Sequence, residues 1–465
     1  MEAQEYDLVV LGGGTGGYTA AIRASQLGLR VALVEQEKVG GVCLHKGCIP
    51  TKALLEAAEV LARVRDAPRF GVRVADEGLD FGRLHERKGQ AVEALYQNLQ
   101  RLLQKHRIET IQGRGRLVSP RQVAVEGPGQ RRLRARFVVL ATGSRPRELP
   151  GLPFDGRRVL SSDHLLTMEA PPESLAIVGA GAVGLEFASF FLDIGVPVTV
   201  IELLPRLLPS EDEELGRGLE RLLTARSAAV LTSARLLPEK CQVLDERVEL
   251  TVEHGGEEKT VQASHVLVAI GRRGNVEDLG LEGTRVRVQD GFVRVDGQMQ
   301  TDEPGVYAVG DLVGGPMLAH KAAAEGAIAA EALAGRSPQP LDYARVPRVV
   351  YTRPHAAAVG LTEEEARRNG RPVRAQRFSF RNNAMALLRD EAEGVAKVVV
   401  DAETGDLLGV HLLGPQAGEL VGEAALALYL QASAWELGTS VHPHPSLSEA
   451  LMDAAQLAAR VSIYL

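Results

Sequence analysis

The sequence predicts an α/β protein in which two similar βαβ halves precede a smaller α+β module. Three observations predict it. A buried-type strand, a glycine turn, a helix and a second strand follow one another over residues 8–35. The same grammar returns over residues 175–202, and beyond residue 346 alternating strands mix with an alanine-rich helix. At 465 residues the chain exceeds what one hydrophobic core supports, so several domains are expected. With 45% hydrophobic and 24% charged residues, both signs interspersed, the composition is globular rather than disordered. The net charge of -7 and the lack of a basic stripe exclude a nucleic-acid partner, which would need cations ranged along phosphates.

In the first half, the apolar run Leu8 to Leu11 meets "GGGTGG", then the helical pattern "YTAAIRASQLG", then the strand "RVALVE". Gly12 suits the tight turn, Gly14 lets backbone approach a pyrophosphate, and Gly17 lets helix and strand pack closely. The helix N-terminus offers free N–H groups and a positive dipole end to the phosphates. Glu35, 18 residues past Gly17, stands where a ribose hydroxyl needs an acceptor. In this context the glycines read as a Rossmann-like dinucleotide site rather than an ordinary loop.

Next comes "GGVCLHKGCIP" (40–50), with Cys43 and Cys48. A disulfide needs Cα atoms within about 7 Å, whereas five residues of α-helix rise roughly 7.5 Å. A bridged pair therefore requires a break, for which Gly47 is placed, and Pro50 suits the first turn of the helix continued by "TKALLEAAEVLARV". Cys48 would then sit at a helix N-terminus, which favours a thiolate, with His45, Lys46 and Lys52 adding positive charge. A structural zinc site needs four ligands and Cys241 is remote in sequence, so no metal is expected. Two inert buried thiols remain an alternative to a redox pair. Position favours working residues, because the pair directly follows the first βαβ unit. Cys241, in the polar stretch "PEKCQV", reads as inert.

"RFVVLATGSRPRELPG" reads as a buried strand ending in a proline-rich exit, which places the first boundary near residue 150. In the second half, Gly179, Gly181, Gly184 and Glu202 take the roles of the first fingerprint, again with 18 residues between last glycine and acid. A carboxylate there accepts from a free ribose hydroxyl and repels a phosphate in its place, so NAD is preferred over NADP, although Arg206 is close. "SHVLVAIGRRGN" closes this half near residue 275. Short strands and turns, including "TDEPGVYAVGDLVGG", are expected to about 345, and an α+β module with a helix from Ala424 to Ala434 over 346–465. The acidic start "MEAQEYDLVVLGGG" lacks the features of a secretory signal, and no apolar run has the length of a membrane span. A cytoplasmic home is expected, where structural disulfides are rare.

The motifs "GGGTGG", "GGVCLHKGCIPTKALL", "ATGS", "VGAGAVGLE", "AIGRRGN", "YAVGDLVGGPMLAHKAAAEG", "VVYTRPHAAAVGLTEEEA" and "HPHPSLSEAL" together resemble the flavoprotein disulfide reductase family. They cover nearly the whole chain in family order, and the resemblance is strongest to members that oxidise dihydrolipoamide. It implies an FAD-binding domain (1–150), an NAD-binding domain (151–275), a central domain completing the FAD site (276–345) and an interface, or dimerisation, domain (346–465). It further implies that Cys43 exchanges with the substrate and Cys48 faces the flavin, that Lys52 and Glu186 pair near the flavin ring, and that Asp311 contacts the flavin nucleotide. Gly41, Gly115, Thr142, Gly143, Gly271 and Gly310 are cofactor-binding residues on the same ground.

By the resemblance His444 is the catalytic base and Glu449 the carboxylate that orients it, reaching the cysteines of a second subunit in a homodimer. The implied reaction oxidises dihydrolipoamide on the lipoyl arm of an acyltransferase subunit, within a 2-oxoacid dehydrogenase complex, and reduces NAD. Another NAD(P)H-dependent disulfide reductase, or a flavin-bearing docking subunit, are the competing readings. Three features depart from the family pattern: His45-Lys46 for the more usual Asn-Val, His442 just ahead of His444, and His355 after Pro354 where an acid is commoner.

Overall fold

Leu8, Val9, Val10 and Leu11 are 0–1% exposed, as befits a strand covered on both faces at the centre of a parallel sheet. They end the strand Gln4–Leu11, which pairs in parallel with Val31–Glu35 on one side and Arg131–Leu140 on the other. This is a computed structural model, and it describes residues 4–75, 78–128 and 130–464. The chain forms two units, each assembled from three segments. The first comprises Met1–Ala53, Arg83–Arg147 and Gly271–Tyr343; the second comprises Leu54–Gly82, Glu148–Ile270 and Ala344–Leu465.

In the first unit the parallel strands run in the order Glu109–Gln112, Val31–Glu35, Gln4–Leu11, Arg131–Leu140, Val306–Ala308. An antiparallel meander, Arg114–Ser119 and Gln122–Glu126, extends the sheet from Arg131–Leu140. Helix Thr15–Gln26 packs against helix Ala319–Leu333 so closely that a Cβ on Gly326 would lie 2.4 Å from the Gly16 carbonyl oxygen. This second helix corrects the expectation of only short strands and turns over 276–345. Its buried residues are Lys321, Ala322, Glu325, Gly326, Ala329, Ala330 and Leu333, four of them alanine or glycine, so its packing depends on close approach more than on apolar bulk.

The second unit contains a five-stranded all-parallel sheet, ordered Ala229–Leu231, Val198–Ile201, Leu175–Val178, His265–Val268, Val159–Leu160. Helix Ala182–Asp193 buries nine residues, among them Phe187, Phe190 and Phe191, so it is covered nearly all round. A five-stranded antiparallel sheet over residues 348–414 carries helices Ala417–Tyr429 and Glu449–Ala459. The alanine-rich helix thus lies seven residues earlier than expected at its start. Gln431, with φ 56°, stops the chain after it, and Ser433 caps the next helix, Ala434–Thr439. The architecture is α/β, two Rossmann-like parallel sheets and an antiparallel α+β portion. Among the described residues, no helix is long and apolar enough to cross a membrane.

Candidate active site

The two glycine turns are built alike. Gly12 (φ 105°) and Gly179 (φ 104°) occupy backbone conformations that disfavour side chains, and their N–H groups donate to Val34 O at 2.8 Å and Ile201 O at 2.9 Å. A Cβ on Gly17 would lie 1.9 Å from Gly12 O, and one on Gly184 2.1 Å from Gly179 O. Both positions are therefore closed to any larger residue. Glu35 accepts from Gly13 N–H at 2.7 Å and Glu37 N–H at 2.8 Å; Glu202 accepts from Ala180 N–H at 2.6 Å and Leu204 N–H at 2.8 Å. Each carboxylate so clamps its own turn and still has lone pairs for hydroxyl donors.

Helices Thr15–Gln26 and Ala182–Asp193 start at Gly14 and Gly181, neither with a side-chain cap and neither with an acid in the first turn. A Cβ on Gly181 would meet open space. Uncapped N–H groups at each turn, with open space beside Gly181, fit the binding of a pyrophosphate. Arg206, the cation close to Glu202, is bound to Glu364 at 3.0 Å and does not oppose the preference for NAD.

The cysteine segment breaks where the geometry required. Gly41–His45 is a short helix, Lys46 and Gly47 interrupt it, and Cys48 begins helix Cys48–Asp66 with Pro50 in its first turn. Cys43 and Cys48 are free thiols in hydrogen-bonding contact. That contact, burial and the charge of Cys48 push the Cys43 thiol well above its ordinary range, while Thr15 and Lys52 act against them. His45 and Lys46 are committed elsewhere: His45 Nε2 lies 2.9 Å from Val39 O with its ring edge-on to Tyr96, and Lys46 pairs with Glu37 at 2.6 Å. Cys241 bonds Leu237 O at 3.3 Å within an apolar cluster, as an inert thiol does.

Of the other candidate cofactor residues in the first unit, Thr142 Oγ1 donates to Asn275 O, and Asn275 Nδ2 returns a bond to Thr142 O, both at 2.8 Å. Gly143 (φ 71°) and Gly271 (φ 106°) face open space. Asp311 accepts from Ser144 Oγ at 2.5 Å, and Ser144 is held in turn by Arg272. Gly115 has a packing reason to lack a side chain, since a Cβ there would strike Leu11 at 2.6 Å. Gly310 donates its N–H to Glu325 at 2.8 Å, and Lys321 donates to Gly310 O at 3.0 Å and Gly314 O at 2.8 Å. Lys321 and Glu325, 3.1 Å apart with fully buried side chains, thus shape the Gly310-Asp311 loop. Sequence reading missed both, although a K-x-x-x-E spacing inside "HKAAAEG" was a legible pairing signal.

In the second unit Glu186 is buried and accepts from Tyr351 N–H at 3.1 Å. His444 Nδ1 is 2.8 Å from Glu449 Oε1, and Glu449 Oε2 accepts from Ser446 N–H at 2.8 Å. The His444 side chain is 73% exposed, and its Nε2 has no partner among the described residues. His442 is its opposite: 5% exposed, with Nε2 2.8 Å from Glu423 and Nδ1 2.8 Å from Ser440 O. Both of its nitrogens are occupied, leaving His444 as the imidazole able to exchange a proton with a ligand. His355 packs edge-on against Tyr351, and nothing in the structure explains the substitution of an acid there.

Comparison with known proteins identifies the family. Residues 6–326 match the model of the pyridine nucleotide-disulphide oxidoreductases, and residues 346–455 match the dimerisation domain of the same proteins. A dihydrolipoyl dehydrogenase of Bacillus subtilis (strain 168) is 46% identical, with 97% of this chain and 98% of the relative covered. One from Thermus scotoductus is 44% identical over 99% of each. Among solved structures, LpdA from Mycobacterium tuberculosis superposes with a TM-score of 0.90 at 28% identity, covering 98% of this chain and 99% of that one. The HOCl-induced flavoprotein disulfide reductase RclA of Escherichia coli, as its Cu(II) complex, gives 0.87 at 27%, covering 98% and 100%. With two fingerprints, a contacting cysteine pair and family matches over most of its length, the chain belongs to the pyridine nucleotide-disulphide oxidoreductase family.

Proposed function

We propose that this chain is an NAD-dependent dihydrolipoyl dehydrogenase that oxidises a dihydrolipoyl group through the Cys43–Cys48 pair. The observation that carries the reading is that pair, in contact at the head of a helix and directly following the first dinucleotide turn. The near full-length identity to dihydrolipoyl dehydrogenases supports the same substrate class. Domain assignments follow: 1–150 for FAD, 151–275 for NAD, 276–345 completing the FAD site and 346–465 for the interface of a homodimer, the last supported by the dimerisation-domain match.

The residues divide the work as follows. Nε2 of His444 takes the proton of one substrate thiol, while Glu449 on Nδ1 fixes the tautomer and stabilises the imidazolium. The resulting thiolate attacks Cys43 Sγ of the disulfide form; an S–S bond to the substrate forms, and Cys48 leaves with the electron pair of the broken bond. Once His444 has released that first proton to solvent, it takes the proton of the second substrate thiol, which closes the cyclic disulfide and releases Cys43 as a thiolate. Bound FAD supplies the two-electron carrier between this dithiol and NAD, so that dihydrolipoamide and NAD give lipoamide, NADH and a proton. The glycine turns, with Glu35 and Glu202, would hold the two dinucleotides, Thr142, Gly143, Gly310 and Asp311 completing the flavin side.

A lipoyl-bearing acyltransferase of a 2-oxoacid dehydrogenase complex is the proposed partner, in the cytoplasm. His444→Gln tests the assignment: NADH should still reduce the flavin, whereas flavin reduction by dihydrolipoamide should slow by about two to four orders of magnitude. Near-normal NAD reduction by dihydrolipoamide in that variant would refute it.

A further inference from the structure

Helix Ala319–Leu333 carries a lysine and a glutamate one turn apart, Lys321 and Glu325, whose side chains are 0% exposed and whose charged groups lie 3.1 Å apart. An ion pair taken wholly out of water adds little stability, because desolvation of both charges offsets their attraction. The reason for this one lies in what else the two groups hold. An ammonium has three N–H donors, and those of Lys321 meet Gly310 O at 3.0 Å, Gly314 O at 2.8 Å and Glu325 Oε1. Glu325 Oε2 accepts from Gly310 N–H at 2.8 Å, and its Oε1 accepts from the Tyr343 hydroxyl at 2.7 Å.

Gly310 is thus gripped on both sides of its Cα, at N–H by the acid and at C=O by the lysine. Gly310 (φ 78°) and Gly314 (φ 75°) bracket the turn Gly310–Val313, and Lys321 ties their two carbonyls to one nitrogen. Asp311 lies between these glycines, so the peptide that joins it to Gly310 is the one whose carbonyl Lys321 holds. Its carboxylate is fixed on the other side by Ser144 Oγ at 2.5 Å, itself held by Arg272 Nε at 2.7 Å. Lysine suits the position where arginine does not, since three acceptors converge on one buried point and a planar guanidinium cannot meet them together.

We propose that Lys321 and Glu325 are positioning residues of the flavin site: through the Gly310–Gly314 turn they fix the direction in which Asp311 presents its carboxylate to hydroxyl donors of the flavin nucleotide. The inference rests on the proposed function in placing Gly310 and Asp311 on the flavin side. An ionised carboxylate accepts and cannot donate, so what it adds to binding is set by how well its lone pairs meet those hydroxyls.

The test is a double-mutant cycle on the FAD dissociation constant of the holoenzyme, measured by equilibrium dialysis. Lys321→Met combined with Glu325→Leu removes both charges at similar size, so neither is left buried without its partner. With Asp311 in place, this paired substitution should weaken FAD binding roughly tenfold. In Asp311→Ala, which itself weakens binding, the same substitution should add at most about a twofold loss, because the group that the pair aims is gone. A pair that merely held the fold together would show the same loss in both backgrounds; that result, or no loss with Asp311 present, overturns the proposal. Should the paired substitution not fold, Tyr343→Phe, at a residue 38% exposed, carries the same cycle. A loss of about two- to fourfold with Asp311 and none without it supports the proposal, and any other pattern overturns it. FAD binding unchanged in Asp311→Ala alone would instead overturn the placement of Asp311 in the flavin site, and the proposal with it.

Discussion

Two histidines two residues apart meet opposite fates, and the difference lies in what each ring nitrogen touches. His442 has both nitrogens bonded and its side chain buried, whereas His444 has one nitrogen on Glu449 and the other presented outward. Replacing His442 by Asn is therefore expected to lower the melting temperature while leaving the pH profile of turnover in place. The sequence motif pointed to His444, but only coordinates distinguish a satisfied imidazole from an available one. A third histidine supplies a pH prediction. His411 is fully buried, with Nε2 on Leu361 O at 3.0 Å, and burial lowers it from 6.5 to about 4, with Asp212 opposing and Lys397 and Arg348 assisting. The unfolded chain therefore binds this proton first. Stability due to neutral His411 is full above pH 6.5 and is lost as pH falls from 6.5 toward 4, on the order of 3 kcal/mol. Melting temperatures of His411→Leu should vary less over that window than those of the unsubstituted protein; equal slopes would contradict the assignment.

Among the elements, the βαβ units were the most legible because several constraints coincide there. A strand buried on both faces reads as a continuous apolar run, its turn demands glycine, and the acid at the end of the second strand clamps that turn. Helix Ala319–Leu333 was not legible, since of its seven buried residues only Leu333 is large and apolar, and alanine, glycine and a buried Lys-Glu pair carry little of the apolar periodicity that marks a helix. The lesson holds for Gly326, whose reason is the Gly16 carbonyl across the helix crossing. The duplicated turns permit a selective prediction. Gly184→Ala places a methyl 2.1 Å from Gly179 O, so the second turn must distort. Titration of that variant should show NAD affinity weakened at least tenfold while the flavin stays bound, since the substituted helix belongs to the second unit. Simultaneous loss of flavin would contradict the division of the two sites.

At the scale of the whole molecule, each unit is stitched from three chain segments, and the stitching is visible in ion pairs remote in sequence. Lys397, with a side chain 4% exposed, lies 2.8 Å from both Asp212 and Glu363, and Asp212 also caps helix Glu213–Ala225. Removing the cation leaves the buried Asp212 carboxylate without its buried partner, beside the partly exposed Glu363. Lys397→Met is expected to destabilise the fold by about 3–5 kcal/mol, measured by denaturant unfolding at neutral pH. No sequence motif announced this network, because its members carry no spacing signal, whereas the chemistry-bearing segments each kept theirs.

The proposed activity depends on one relay, from a dithiol through Cys43 and Cys48 to the flavin and on to NAD. Anaerobic addition of dihydrolipoamide to the holoenzyme, followed by NAD, tests it most directly. With the relay in place, a long-wavelength thiolate-to-flavin absorption band is expected to appear with the dithiol and vanish as NADH forms. An unchanged visible spectrum on dihydrolipoamide addition, in a protein whose flavin NADH still bleaches, would contradict it.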